Sequence, residues 1–281
     1  MSKLTWLVAA TVWLLADASG AFTIGGPSSD GWVAVPYTTS PDFADDQLTG
    51  ANEADLVGDM SNPALFTAFD DAGTPSLTDG TIAFRLRFGA DENPLGFKHV
   101  GLVGIDVDQN QSVDILIVVD NKGGSPEIAI RRVTGAGTSP STTGINRSSG
   151  IVYSQNASNY SWLSVSAVDP GLPADLDGDG NDYYLSFSVP FADLVAQVNA
   201  LAIPGFGGLT QITEVLFVAG SSTNSNSVNQ DWSGPNGGTN WSQPWASVGG
   251  FSQPMTIPEP GTAALLALGT ALLAHVGRRR S

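Results

Sequence analysis

Thr81-Ile82-Ala83-Phe84-Arg85-Leu86-Arg87-Phe88 alternates throughout: Ile82, Phe84, Leu86 and Phe88 are apolar, and the residues between them are small or cationic. Successive side chains of an extended chain point to opposite faces, so a period of two reads as a half-buried β-strand. Tyr183, Leu185, Phe187 and Val189 repeat the pattern up to Pro190. Around these two segments lie Trp32 to Val35, Val100 to Ile105, Glu127 to Val133, Trp162 to Val168 and Ile212 to Ala219, all short and rich in β-branched or aromatic residues. The run Ile115 to Val119 is apolar at every position, as expected of a strand covered on both faces. After Pro190, Phe191, Leu194, Val195, Val198 and Leu201 fall at helical spacing, which predicts one short amphipathic helix. Many strands, one helix and turns marked by Gly, Asn, Asp and Pro predict an all-β fold, an antiparallel, jelly-roll-like β-sandwich. Segments 134–150 and 219–244 are rich in Gly, Ser, Thr and Asn and read as surface loops.

The composition narrows the function classes. The chain has 281 residues, 42 % of them hydrophobic, which is enough apolar material to bury a core. It carries 11 Lys and Arg against 27 Asp and Glu, net −16. A nucleic-acid partner needs a basic footprint, and none exists here. There is no Cys, and the two His stand at 99 and 275, so disulfides, thiolate catalysis and sulfur-ligated metals are excluded and imidazole chemistry is almost so.

Both ends read as addresses. Lys3, the apolar run Leu4 to Leu15 and the small residues up to Ala21 form the three parts of a secretory signal peptide over residues 1–21, a substrate for Sec export and signal peptidase. At the other end Pro258-Glu259-Pro260 precedes an uncharged Ala/Leu stretch, residues 261–277, and then Arg278-Arg279-Arg280. The stretch is expected to be a transmembrane helix with the arginines held at the cytoplasmic face. Pro-Glu-Pro, helix and Arg cluster together resemble the PEP-CTERM sorting signal of Gram-negative, exopolysaccharide-producing bacteria. That resemblance implies a membrane exosortase as partner, cleavage near Pro258 to Gly261 and transient anchoring before release to the cell surface or extracellular matrix. An ordinary single-pass anchor is the alternative. Between the ends, residues 22–257 form the expected sandwich domain, with seven cations against 21 Asp and four Glu.

Nearly all the acid is thus Asp, the residue of turns and calcium loops. Two loops concentrate it. Asp106, Asp108, Asn110 and Asp114 occupy one; Asp175, Asp177, Asp179 and Asp182 occupy the other. Oxygen donors at alternate positions of a tight loop can converge on Ca²⁺, which takes six to eight hard oxygens. The second loop has Gly180 at the sixth position, as in an EF-hand, but Ser186 stands at the twelfth in place of a bidentate Glu. The alternative for each is a turn that needs no metal.

Trp232, Trp241 and Trp245 lie in one Gly/Asn/Ser-rich segment. Exposed indoles stack on sugar rings, which would fit exopolysaccharide binding; buried ones would plug the core, the stronger expectation for aromatic residues in general. The four Glu of the body, Glu53, Glu92, Glu127 and Glu214, sit in separate contexts, so the expectation is a non-enzymatic protein, with a secreted glycan hydrolase as the alternative. The stretch from Asp175 through Pro190 to Leu194 resembles the late portion of family-nine carbohydrate-binding modules and DOMON domains, which implies a sandwich fold and carries no binding residues across.

Overall fold

The structure, a computed structural model, describes residues 22–38, 42, 46–48, 51–92, 95–123, 125–234 and 241–257. The expected signal peptide and the sorting segment 258–281, with Pro258, Glu259, Pro260, the 261–277 span and Arg278, Arg279 and Arg280, lie outside the described residues. Among those described, no helix is long and apolar enough to cross a membrane.

Ten strands form two antiparallel sheets of five. Val33–Ala34 (β1), Leu65–Asp70 (β2), Thr81–Phe88 (β3), Tyr160–Ser164 (β8) and Tyr183–Pro190 (β9) make the first, in the order β1-β2-β3-β9-β8. Val100–Asp106 (β4), Ile115–Asp120 (β5), Glu127–Thr134 (β6), Gly144–Ser154 (β7) and Leu216–Ser222 (β10) make the second, in the order β10-β4-β5-β6-β7. The expected sandwich is therefore present. Its main core is built from the alternating positions: Ile82, Phe84, Leu86 and Phe88 face Val103, Ile105, Ile117, Val119, Ile130 and Phe217 across the sheets. Phe84 meets Phe217 at 5.6 Å between ring centroids in an edge-on pair, the arrangement aromatic quadrupoles favour.

The sandwich is covered on both outer faces, which strand periodicity alone does not foretell. Over the first sheet, Ile24, Trp32, Val165, Val168 and Tyr184 pack on Phe66, Ala68 and Ala83. Arg85 and Arg87, on the face that alternation assigns to solvent, are therefore fully buried. Arg85 donates to Ser186 Oγ at 2.9 Å and to the Gly26 carbonyl at 2.6 Å, with its guanidinium 4.1 Å from the Trp32 ring centroid. A buried charge survives only when its donors are met, and here the N-terminal cover meets them. Over the second sheet, Val228, Trp232, Trp245 and Val248 pack on Val100, Leu102, Leu116, Val118 and Val218. This is why residues Ile115 to Val119 of β5 are apolar at every position.

Several expected boundaries move. Trp162 to Val168 is a strand only to Ser164; it turns there into a one-turn helix, Val165–Val168 (α1), whose apolar side chains cover the first sheet. The predicted helix after Pro190 is Phe191–Asn199 (α2), and Trp245–Val248 (α3) adds a further turn. β7 begins inside the expected 134–150 loop and runs beyond it to Ser154: as an edge strand it is half-exposed and polar, and its pairing with β6 defines it.

Candidate functional site

The first Asp loop joins β4 to β5. Asp106, Asp108 and Asp114 offer carboxylate oxygens within 4.8 Å of one another. Asp106 accepts the main-chain N–H of Gln111 at 2.7 Å and of Asn110 at 3.1 Å, and Asp114 accepts that of Val107 at 2.8 Å. The tight turn is made without Gly, by Gln109 and Gln111 at φ of 59° and 67°. Asn110 accepts the Ser112 N–H on its Oδ1 at 2.9 Å and donates its amide to Asp108 at 3.1 Å, so its side chain closes the loop beside the three carboxylates. Burial and the neighbouring charge of Asp114 push the Asp106 carboxyl up to about 7; burial and Asp108 push Asp114 up to about 6. Three hard oxygens drawn together at this cost in proton affinity are chemically suited to a divalent cation.

The second loop is less uniform. Asp175, Asp177 and Asp182 converge within the same 4.8 Å, while Asp179 turns away to accept the Asn52 amide at 2.6 Å. Asp177 leans over Gly89, where any Cβ would strike its Oδ2. Asp182 is fully buried and paired with Arg87, whose Nε donates at 2.6 Å; burial still raises its carboxyl to about 6 against the pull of that guanidinium. A cation here would compete with Arg87, so the first loop is the better donor set of the two.

A third acidic group was not legible in the sequence. Asp42, Asp46 and Asp231 also meet within 4.8 Å, although about 190 residues separate them in the chain. Asp231 is anchored by the N–H of Leu56 at 2.5 Å and of Trp232 at 2.7 Å. Complete burial, then the charges of Asp46 and Asp55, drive its carboxyl well above the ordinary range, and Asp46 rises to about 6. Burial and the mutual repulsion of Asp231 and Asp46 thus both favour the protonated carboxyl. Glu53 and Glu92, expected in separate contexts, are brought to one turn: the Asn52 N–H donates to Glu92 at 3.0 Å, and buried Glu53 accepts from the Lys98 N–H. Burial raises Glu53 to about 7.

Of the three tryptophans, two are packing residues. Trp232 and Trp245 are 2 % and 0 % exposed and meet edge-on at 6.3 Å, with the Trp245 Nε1 donating to Thr143 Oγ1 at 3.2 Å. They cannot serve as sugar platforms because the cover of the second sheet is built around them. Trp245→Ala is expected to cost about 3–5 kcal/mol of stability, as for other buried Trp truncations. Trp241→Ala should stay within about 0.5 kcal/mol of wild type in the same urea titration. Equal losses at the two positions would contradict this assignment.

Trp241 is 44 % exposed and stands on the wall of a cleft of about 590 Å³. One wall is the turn Pro140–Thr142 with Thr134 and Thr143, the other the segment Asn224 to Asn229. Ser139 and Thr142 cap that turn reciprocally, and the Ser141 N–H donates to the Trp241 carbonyl at 2.8 Å. Across the cleft, the Ile145 N–H donates to the Asn226 carbonyl at 3.0 Å. The site is thus a fixed notch with one indole and a lining of hydroxyls and amides.

The body ends tightly. Met255 bridges Val215, and Ile257 is buried in the main core with its N–H donating to the Gln211 carbonyl at 3.1 Å. Among curated proteins and among solved structures nothing matches the chain. Residues 256–281 match the PEP-CTERM protein-sorting motif, so the chain carries a sorting signal of that kind, which implies export, exosortase as processing partner and a cell-surface or extracellular destination.

Proposed function

We propose that the protein is a non-enzymatic β-sandwich of the extracellular polysaccharide matrix, stiffened by calcium in its Asp loops, that holds glycan in the Trp241 cleft. It would leave the cytoplasm of a Gram-negative cell through Sec, lose residues 1–21 to signal peptidase, and stay briefly anchored by residues 261–277 until exosortase acts at the Pro-Glu-Pro. The observation that carries the glycan reading is the cleft itself: an exposed indole face beside uncharged hydrogen-bonding side chains, the combination that sugar rings and their hydroxyls complement. The first loop supports the calcium reading with three converging carboxylates and no cationic partner in their hydrogen bonds.

A glycan hydrolase would need two carboxyl groups flanking the bound sugar. Among the described residues no Asp or Glu lines the cleft, and Glu53, whose raised proton affinity would suit a general acid, is 2 % exposed. The test is affinity electrophoresis of the full-length protein in native gels cast with matrix polysaccharide. Retardation that Trp241→Ala removes is the expected result. Release of oligosaccharides from the same polymer would replace the binding role with the hydrolase.

A further inference from the structure

The lining of the Trp241 cleft specifies more than sugar in general. Resting on the glycan reading above, we infer that the cleft selects a neutral, hydroxyl-rich glycan and excludes uronate, sulfate or phosphate polymers. The lining consists of Ser, Thr, Asn, Gly, Pro, Val and Trp residues; none is charged. This is notable in a body where acids outnumber cations 25 to seven. An anionic polymer needs a guanidinium or ammonium to offset its desolvation, and the lining of the cleft supplies neither. The negative body adds a repulsive field against a polyanion.

The neutral groups, in contrast, are available. Asn224 bonds to Ser222 Oγ through its main-chain N–H at 3.0 Å and carbonyl at 2.8 Å, and Asn226 holds β7 through its carbonyl. Their exposed side-chain amides are not consumed by the fold, and each presents both donors and an acceptor, the pairing a sugar hydroxyl can use in either sense. The walls are tied down by main-chain bonds, so little ordering is needed on binding.

The experiment compares full-length wild type and Trp241→Ala in native gels containing a neutral polymer (mixed-linkage β-glucan or galactomannan) or an anionic one (alginate or polygalacturonate), with calcium fixed. The expected result is retardation by a neutral polymer, weakened about tenfold or more by Trp241→Ala as one ring-stacking contact is lost, and none by the anionic polymers. Asn226→Asp, which places a carboxylate in the cleft, should weaken neutral binding without lowering the melting temperature. Retardation by alginate or polygalacturonate that Trp241→Ala removes would overturn the neutral selectivity and leave glycan binding standing. If no polymer retards the wild type, glycan binding itself falls; retardation that Trp241→Ala leaves intact removes the cleft as its seat.

Discussion

In EDTA, the melting temperature of the protein is expected to fall as pH rises from about 4 to about 8, the reverse of the usual behaviour of paired carboxylates. The sign follows from the carboxyls that the fold makes harder to ionise. Asp106 and Glu53 titrate at about 7, and Asp46, Asp114 and Asp182 at about 6, burial being the largest cause in each case. In the unfolded chain the same groups titrate at about 4. Between these values the folded protein binds more protons than the unfolded one, so stability is full below the unfolded value and is lost as pH climbs through the folded values. Asp59, held low by hydrogen bonds from Ser61 and Asn62, and His99, held low by burial, work in the opposite direction, but they are two groups against these five together with Asp177 and Asp231, which burial also raises. Calcium at pH 8 is expected to replace the missing protons with a divalent charge. A site filled at one hundred times its dissociation constant adds about 2.7 kcal/mol, which in a domain of this size is about 5–10 °C. Asp106→Asn should raise the melting temperature in EDTA at pH 8 and abolish the response to calcium. A flat pH profile in EDTA would contradict the buried carboxyls, and an absent calcium shift at pH 8 would remove the cation from the first loop.

Arg87→Met is expected to be the most damaging single substitution in the outer cover, at about 3–5 kcal/mol, because it leaves a buried carboxylate without its partner. Arg87 and Asp182 are both fully buried, and Arg87 also donates to the Pro173 carbonyl at 2.7 Å, so one guanidinium fastens the 173–182 loop to β3. The double variant Arg87→Met, Asp182→Asn should recover much of the loss, since the cost lies mainly in the stranded charge. The comparison is Arg131→Met, which breaks the pair with Glu127, a carboxylate that is 19 % exposed and so keeps water when its partner goes; it should cost less than Arg87→Met. Urea midpoints of the variants decide it. A loss at Arg87 no larger than that at Arg131, or a double variant worse than the single, would show that the pair does not anchor the loop.

Much of the sandwich was legible because a strand with one face in the main core must alternate: β3 and β9 announce themselves by Phe84, Leu86, Phe187 and Val189. Strands without that constraint were harder. In β2, Leu65-Phe66-Thr67-Ala68-Phe69, the outer cover is met by Phe66 and Ala68, apolar like Leu65 and Phe69 on the inner face, so no alternation marks it, whereas β3 meets the same cover with Arg85 and Arg87. β7 is polar because half of it faces solvent, and only its register with β6 makes it a strand. The same contrast divides the site residues. Asp106, Asp108 and Asp114 are close in sequence and meet in one turn, whereas Asp231 reaches Asp46 only through tertiary folding.

The sequence by itself determined the destination of this protein, the all-β class and the two local Asp loops, since a sorting motif, a period of two and a turn are all short-range properties of the chain. Only the tertiary structure decided which face of each element is covered. It buried Arg85, Arg87, Trp232 and Trp245 beneath segments distant in sequence, left Trp241 at the rim of a cleft, and set Asp179 apart from its loop, because burial is a property of what packs against a residue and not of the residue's neighbours in the chain.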